Sequence, residues 1–393
     1  MQYRLNQKNG DSLSLLGFGC LRFPRKNGKI DFEETQREIL EAVRLGVNYF
    51  DTAYVYGGSE ETLGKILAQN GIRKSVYIAT KLPHYYIKKT EDFERFFAEE
   101  LQRLQTDYVD YYLIHMLPDV ATWRRLQTFG IEEWLLQKKQ SGMIRNIGFS
   151  YHGNTVAFQE LLDVYDWDFC QIQYNYMDEH SQAGRAGLLK AAKKGMPVII
   201  MEPLRGGRLV HGLPKEAGHL FSRARSDWSP AEWGLRWRWD QPQVTVVLSG
   251  MNSMEMLREN VRIASDVRAG ELGEAEFALY RQVIAAINRR MKVPCTGCGY
   301  CMPCPSGVDI PGVFRCYNER YTDNYYTGMK EYFMCTTMRA KHSGASQCVR
   351  CGKCESHCPQ QIPIREKLAE AAGKMESPVY HVAKWVMKRI GRF

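Results

Sequence analysis

Nowhere in its 393 residues does the chain assemble the run of about 18 apolar residues that a membrane-spanning helix requires. The first stretch, Met1 to Leu16, is polar and lacks the apolar segment of a secretory leader, so a cytoplasmic protein is expected. Also missing is the dinucleotide fingerprint G-x-G-x-x-G: Gly17 and Gly19 are followed by no third glycine in place. No basic run carries interleaved stacking aromatics, which leaves nucleic acid out of the expected partners. A net charge of +9 is modest for this length; it suits an anionic cofactor or an acidic redox partner.

What the chain does have is cysteine in two tight runs near its C-terminus. The first is Cys295, Cys298, Cys301 and Cys304, followed by Pro305; the second is Cys348, Cys351, Cys354 and Cys358, followed by Pro359. Three thiolates at successive intervals of three grip three corners of one cubane, and the fourth cysteine, beside a proline, serves the other cluster in two-cluster ferredoxins. That reading assigns Cys295, Cys298, Cys301 and Cys358 to one [4Fe–4S] cluster and Cys348, Cys351, Cys354 and Cys304 to a second. One irregularity stands: two residues precede Cys304 where three precede Cys358. The alternatives are zinc and disulfides. Zinc usually takes two separated C-x-x-C pairs and has no use for a middle cysteine or a trailing Cys-Pro. A disulfide framework belongs to small secreted domains. Free thiols and oxygen-sensitive clusters both agree with a reducing interior.

Before the cysteines, short apolar runs alternate with longer amphipathic ones. The runs Leu15 to Gly19, Val47 to Asp51, Val76 to Leu82, Val109 to His115, Ile144 to Ser150, Phe169 to Tyr174, Pro197 to Met201 and Val244 to Ser249 read as strands. Helical patterns lie between them: Phe32 to Leu45, Glu60 to Gln69, Thr90 to Leu104, Trp123 to Lys139, Val156 to Val164, Ala183 to Lys194 and Glu255 to Asp266. The expected fold is α/β, a (β/α)8 barrel with helices outside, and a doubly wound sheet is the alternative. Trp233, Trp237 and Trp239 follow Ser229-Pro230, a helix start, and Trp233 and Trp237 at i, i+4 read as the core face of a barrel helix.

Barrel enzymes place their chemistry at the C-terminal ends of the strands. There the sequence puts Asp51, Lys81 and His115, with Tyr56 in the loop after the second strand. An Asp–Lys pair beside a phenol is expected to lower the tyrosine pKa and make it a general acid. Each residue alone also has an ordinary reading: a cap, a core histidine, one tyrosine among 22.

Taken together, FDTAYVYG at Phe50 to Gly57, IATKL around Lys81, YYLIH ending at His115, IGFS ending at Ser150 and VVLSG before ENV at Glu259 to Val261 resemble the aldo-keto reductases. The match runs from about Leu15 to Ile263, and the join to the cysteine runs resembles the subgroup with a C-terminal dicluster ferredoxin-type domain. The resemblance implies a nicotinamide dinucleotide bound without a Rossmann motif and catalysis by Asp51, Tyr56, Lys81 and His115. It further implies that Ser150 and Gln171 hold the nicotinamide carboxamide, with Gly19, Cys20 and Met201 near the ring. Leu204, Arg205, Gly206 and Gly207 would lie along the diphosphate, and Gly250, Met251, Asn252, Met256, Arg258, Glu259 and Asn260 would face the adenosine end. The chain departs from the family in having Tyr151 after Ser150, and Gly250 and Met256 where basic residues commonly hold the 2′-phosphate of NADP. The carry-over therefore leans toward NAD, with Arg258 as a substitute clamp.

The expected domains are a barrel over 1–290, a mainly helical dicluster domain over 291–372 with helices at Pro311 to Asn318 and Gly328 to Ala340, and a basic amphipathic tail over 373–393. Cys20, Cys170, Cys316 and Cys335 read as packing residues. In the tail, Val379, Val382, Val386 and Ile390 share a face, with Lys384, Lys388, Arg389 and Arg392 largely elsewhere. Docking of that face across the protein is expected ahead of membrane contact.

The favoured function is hydride exchange between NAD(P)H and a small carbonyl or alcohol, with the clusters carrying single electrons to a ferredoxin or flavoprotein partner. Nicotinamide passes two electrons at once and a cluster takes one, yet no flavin motif is evident to divide the pair. Two other readings stay open at this point: a reductase whose clusters are structural or sense oxygen, and a non-enzymatic redox-sensing or electron-carrying module.

Overall fold

The computed structural model describes residues 1–297, 299–358 and 360–389. A hairpin of β1 (Tyr3–Leu5) and β2 (Ser12–Ser14) precedes β3 (Leu16–Gly19), and a small hairpin of β4 (Arg25–Lys26) and β5 (Lys29–Ile30) follows it. Then come β6 (Tyr49–Asp51), β7 (Tyr77–Leu82), β8 (Val109–Ile114), β9 (Ile144–Tyr151), β10 (Phe169–Gln173), β11 (Val198–Met201) and β12 (Val244–Ser249). Strands β3 and β6 to β12 close a parallel barrel in sequence order, so the doubly wound alternative is excluded. Every residue of β8 and β12 is buried, as strands covered on both faces must be.

The barrel interior is a packed core. Tyr49 and Phe169 meet Tyr111 edge-on with ring centroids 5.2 and 4.9 Å away, and Leu13 from the N-terminal hairpin joins them. Two glycines make room: a Cβ at Gly17 would lie 2.7 Å from Leu248, and one at Gly148 would lie 2.5 Å from the Phe169 carbonyl.

Around the barrel run α1 (Phe32–Arg44), α2 (Ser59–Gln69), α3 (Glu91–Leu104), α4 (Val120–Gln127), α5 (Ile131–Gln140), α6 (Thr155–Leu161), α7 (Gly184–Lys193), α8 (Arg208–His211), α9 (Lys215–Ala224), α10 (Pro230–Trp239), α11 (Met254–Asp266) and α12 (Glu274–Asn288). The single helix expected over Trp123 to Lys139 is two, because Gly130 takes a left-handed φ of 82° between α4 and α5. Ser229 caps α10 by accepting from Glu232 N–H at 3.1 Å, Trp233 and Trp237 are buried as expected, and Trp239 is buried with them.

The C-terminal part has its own core, gathered by α13 (Ile310–Thr322), α14 (Tyr325–Tyr332) and α15 (Ile364–Met375) around Val313, Phe314, Tyr317, Leu368 and Met375. Helix α14 starts earlier than expected, where Asn324 caps Thr327 N–H, and it runs into a π turn at Phe333–Thr337. Cys20, Cys170, Cys316 and Cys335 are buried, as expected of packing residues. The tail forms α16 (Pro378–Arg389), but Val379, Val382 and Val386 do not dock; Tyr380 is the residue that turns inward. Cys298, Pro359, Ile390 and Arg392 lie outside the described residues.

One buried acid gives the barrel a pH signature. Glu38 on α1 is inaccessible and neither carboxylate oxygen has a hydrogen-bond partner, so burial pushes its pKa from 4.5 up to about 7. Between those values the folded state holds a proton that the unfolded chain has lost, so stability falls as pH rises through the window and is lowest above it. Glu38→Gln should raise the thermal midpoint at pH 8, by an effect on the order of 2–3 kcal/mol, and leave it unchanged near pH 4. Equal gains at both pH values would contradict this origin.

Candidate active site

Three neighbouring strands bring the expected tetrad to one rim. In the β6–β7 ladder Asp51 faces Ala79, and in the β7–β8 ladder Lys81 faces Leu113; His115 follows β8, with its N–H donated to Leu82 O at 3.0 Å. The Lys81 ammonium donates to both Asp51 oxygens at 2.7 and 2.8 Å and to Thr52 O at 2.6 Å, with side chains 1% and 5% exposed. Tyr56 lies above this pair: Lys81 Nζ is 5.1 Å from its ring centre, and the His115 ring stands edge-on at 6.1 Å and 83°.

The expected lowering of the Tyr56 pKa is not what this arrangement produces. Burial pushes the phenol well above its ordinary range, and the nearby Asp51 and Glu202 carboxylates add to the rise. Asp51 cancels the lysine charge as the phenol feels it. Tyr56 therefore keeps its proton, as a donor must. His115 is driven well below its usual range by burial and then by Lys81, so it is a neutral imidazole, and its buried Nδ1 has no hydrogen-bond partner. His84 and His152 are lowered too, chiefly by burial, His84 to about 4. With Tyr85, whose ring lies 6.2 Å from that of His115, they give the mouth a neutral, aromatic wall. Sequence reasoning passed over these residues because loops carry no periodicity.

The implied cofactor positions fall into two groups. At the tetrad, Ser150 Oγ accepts from Met116 N–H at 2.8 Å, which leaves its own proton to donate, while Gln171 Oε1 is buried without a partner. Gly19 lies beside Ser249 and Gly250, Cys20 is buried, and Met201 ends β11. Farther out, Leu204 lies between β11 and Gly206–Gly207, Met251 is buried and Asn252 and Met256 are exposed. Arg258 is paired with Glu41 at 3.6 Å, Glu259 accepts from Ser229 at 2.7 Å, and Asn260 donates to Ser249 at 3.0 Å. A residue missed from sequence crosses this region: Arg22 donates to Gly206 O at 3.1 Å, and its Cδ would lie 3.3 Å from a Cβ at Gly250. Its place, just beyond the end of β3, was the available signal.

Arg205 does something else. Its guanidinium is buried and turned to the C-terminal part, bonded to Asp178 and 3.1 Å from Glu319 of α13 and 3.6 Å from Asp323, which follows that helix. Burial alone would raise Asp178, yet Arg205 outweighs it and holds that carboxyl far below the usual range. Nearby, Lys330 of α14 reaches Glu202 at 3.4 Å, and Arg339 lies 3.8 Å from Asp119 after β8. The C-terminal part thus sits on the rim that carries the tetrad.

Among the cysteines, Cys301, Cys304, Cys348, Cys351 and Cys354 line one cavity of about 300 Å³. Among the described residues no three His, Cys, Asp or Glu side chains converge as a single ion would require. Cys295 and Cys358 pack against the same core, and Cys298 is outside the described residues. A Cβ at Gly297, φ 73°, would meet His180 O at 2.7 Å, so the first run lies directly against a barrel loop.

A closed parallel barrel with ionisable groups on its C-terminal rim defines the class of barrel enzymes. Residues 15–269 match the model of the aldo/keto reductase family, and residues 294–362 match that of a 4Fe-4S dicluster domain. The chain belongs to the aldo/keto reductase family, and it is an oxidoreductase of that type with a dicluster domain. It is 28% identical over 295 residues to an L-galactose dehydrogenase of Arabidopsis thaliana, covering 68% of this chain and 90% of that one. It is 26% identical over 330 residues to an NADH-specific methylglyoxal reductase of Escherichia coli, covering 71% and 97%. An aldo-keto reductase of Klebsiella pneumoniae solved in complex with NADPH shares the fold at a TM-score of 0.59 and 22% identity, covering 72% of this chain and 95% of that one.

Removing Arg205 tests the joint. Arg205→Met leaves Asp178 buried without its partner, so unfolding free energy should fall by about 3–5 kcal/mol. The link near Asn288 to Lys292 should also become more sensitive to protease. Wild-type stability and resistance would show that the two parts are held some other way.

Proposed function

We propose that this chain exchanges hydride between a nicotinamide dinucleotide and a small carbonyl or alcohol at Asp51, Tyr56, Lys81 and His115, and carries two [4Fe–4S] clusters for single-electron traffic. The observation that carries the reading is the buried Lys81–Asp51 pair beneath Tyr56 with neutral His115 at its edge. A bound nicotinamide supplies the hydride. Tyr56 gives its proton to the carbonyl oxygen as the carbon is reduced, and recovers it when the alcohol is oxidised. Lys81, fixed by Asp51 and Thr52 O, sets where that phenol sits. His115, uncharged, orients the carbonyl oxygen.

The residues fit a nicotinamide. The orphaned Gln171 Oε1 can accept from a carboxamide NH2 and the Ser150 hydroxyl can donate to its oxygen. Arg22, spanning Gly206 and Gly250, is a cation placed for phosphate, and Arg205 would contribute only backbone there because its side chain is committed elsewhere. Arg258 is likewise engaged, with Glu41, so no basic group is dedicated to a 2′-phosphate among the implied positions, and NADH is expected to serve at least as well as NADPH. The named relatives use both: one is NADH-specific, and another was solved with NADPH.

For the clusters, the cavity lined by Cys301, Cys304, Cys348, Cys351 and Cys354 brings cysteines of both runs together, as exchange of the fourth ligand between runs needs. A cluster there supplies one-electron chemistry. The same cysteines pack against the second core, so ligation also contributes to folding of that part.

Two measurements follow from these assignments. Tyr56→Phe should lower turnover by roughly 10² or more with dinucleotide affinity nearly unchanged, in an anaerobic assay with NADH and NADPH against a carbonyl panel that includes methylglyoxal. Unchanged reduction, with clusters intact, would move the chemistry away from this rim. Separately, anaerobically purified protein should hold about eight iron and eight sulfide per chain; about four iron, or zinc instead, would contradict two clusters.

A further inference from the structure

Helix α16 presents two unlike faces. Inward, Tyr380 is buried against the rings of Tyr332 and Phe333, both at 5.8 Å, and its hydroxyl is hydrogen-bonded with Thr337 at 2.6 Å and His342 at 2.8 Å. Outward, Val379, Val382, Trp385 and Val386 are 74%, 62%, 55% and 42% exposed. Their spacing of three, three and one places them on a single stripe of the helix. The inner contacts fix that orientation, so the stripe is held away from the body of the protein.

The charge around the stripe has one sign. Lys384, Lys388 and Arg389 belong to the helix and Arg392 follows, while no Asp or Glu occurs from Pro378 to Phe393. The Arg389 guanidinium lies 4.0 Å over the Trp385 ring, so cation and aromatic present themselves together.

We propose that this face docks on an anionic lipid surface. Aliphatic side chains beside a tryptophan suit the boundary between headgroups and acyl chains, and basic flanks suit acidic headgroups. An acidic protein partner would answer the charge but would leave the valines and Trp385 in water or require a matching apolar groove. A second copy of the chain would bring like charges together. One short helix binds weakly, so the attachment is reversible and sensitive to salt. Because Tyr380 shares its core with the cluster cysteines, docking would bring the dicluster domain beside the lipid surface.

The test uses anaerobic holoprotein and vesicles of phosphatidylcholine alone or with about a third phosphatidylglycerol. Wild type should partition onto the anionic vesicles at low ionic strength, release at high salt and ignore the neutral ones. Val382→Asp with Val386→Asp should cut partitioning at least about tenfold, and replacing Lys384 and Lys388 by Gln should weaken it without touching the apolar stripe. Both variants are to be compared at wild-type iron content, which reports an intact domain. The proposal is overturned by no partitioning onto anionic vesicles, or by equal partitioning of the variants. A lipid-free dimer that the valine variant converts to monomer would also overturn it, by assigning the face to a second copy.

Discussion

A lysine and an aspartate held 2.7 Å apart and almost fully out of water persist only where the surrounding backbone leaves them no alternative. Here the alternative is removed by adjacent parallel strands, β6 and β7, whose register sets Asp51 opposite Ala79, with Lys81 two residues on and on the same face at the barrel rim. Thr52 O takes a further lysine proton, and Thr52 N–H is itself donated to Ala79 O at 2.8 Å. The pair then dictates the rest of the site. Its near-zero net charge lets burial hold Tyr56 protonated, while the lysine's proximity helps keep His115 neutral. Burial thus keeps Tyr56 protonated and His115 neutral, and the pair reinforces both states.

The second set of buried charges does a different task. Arg205, Glu319 and Asp323 join the rim to α13, and Arg315 in turn reaches Glu319 at 2.7 Å and Glu331 at 3.4 Å. Burial pushes Glu319 up to about 7 despite two neighbouring arginines. Such a network gains little over an apolar interface in stability but holds one geometry. The dicluster domain is thereby kept over the same end of the barrel that carries Asp51, Tyr56, Lys81 and His115.

Much of this was readable beforehand because parallel strands buried on both faces stand out as apolar runs, and because strand ends in a barrel have chemical meaning. The eight strands appear where those runs lie. What could not be read was set by tertiary contact. The break at Gly130 depends on one left-handed residue inside an otherwise helical pattern. The phenol shift was misjudged because sequence pairs Asp51 with Lys81 beside Tyr56 but does not show how deeply the phenol is buried, which with the nearby carboxylates raises its pKa. Arg205 fitted a phosphate loop by position, and only the fold shows its guanidinium turned to Asp178. The exposed stripe of α16 depends on Tyr380 finding Thr337 and His342, partners distant in sequence.

Whether the rim passes hydride straight to carbon, or electrons leave through the clusters first, is the point on which the account stands. A nicotinamide dinucleotide carrying deuterium at the transferred position of C4, reacted once under anaerobic conditions with a carbonyl that the protein reduces, decides it. The account predicts that the deuterium is recovered on carbon in the alcohol product. Its loss to solvent while alcohol still forms would contradict direct transfer and route the reduction through the iron–sulfur domain.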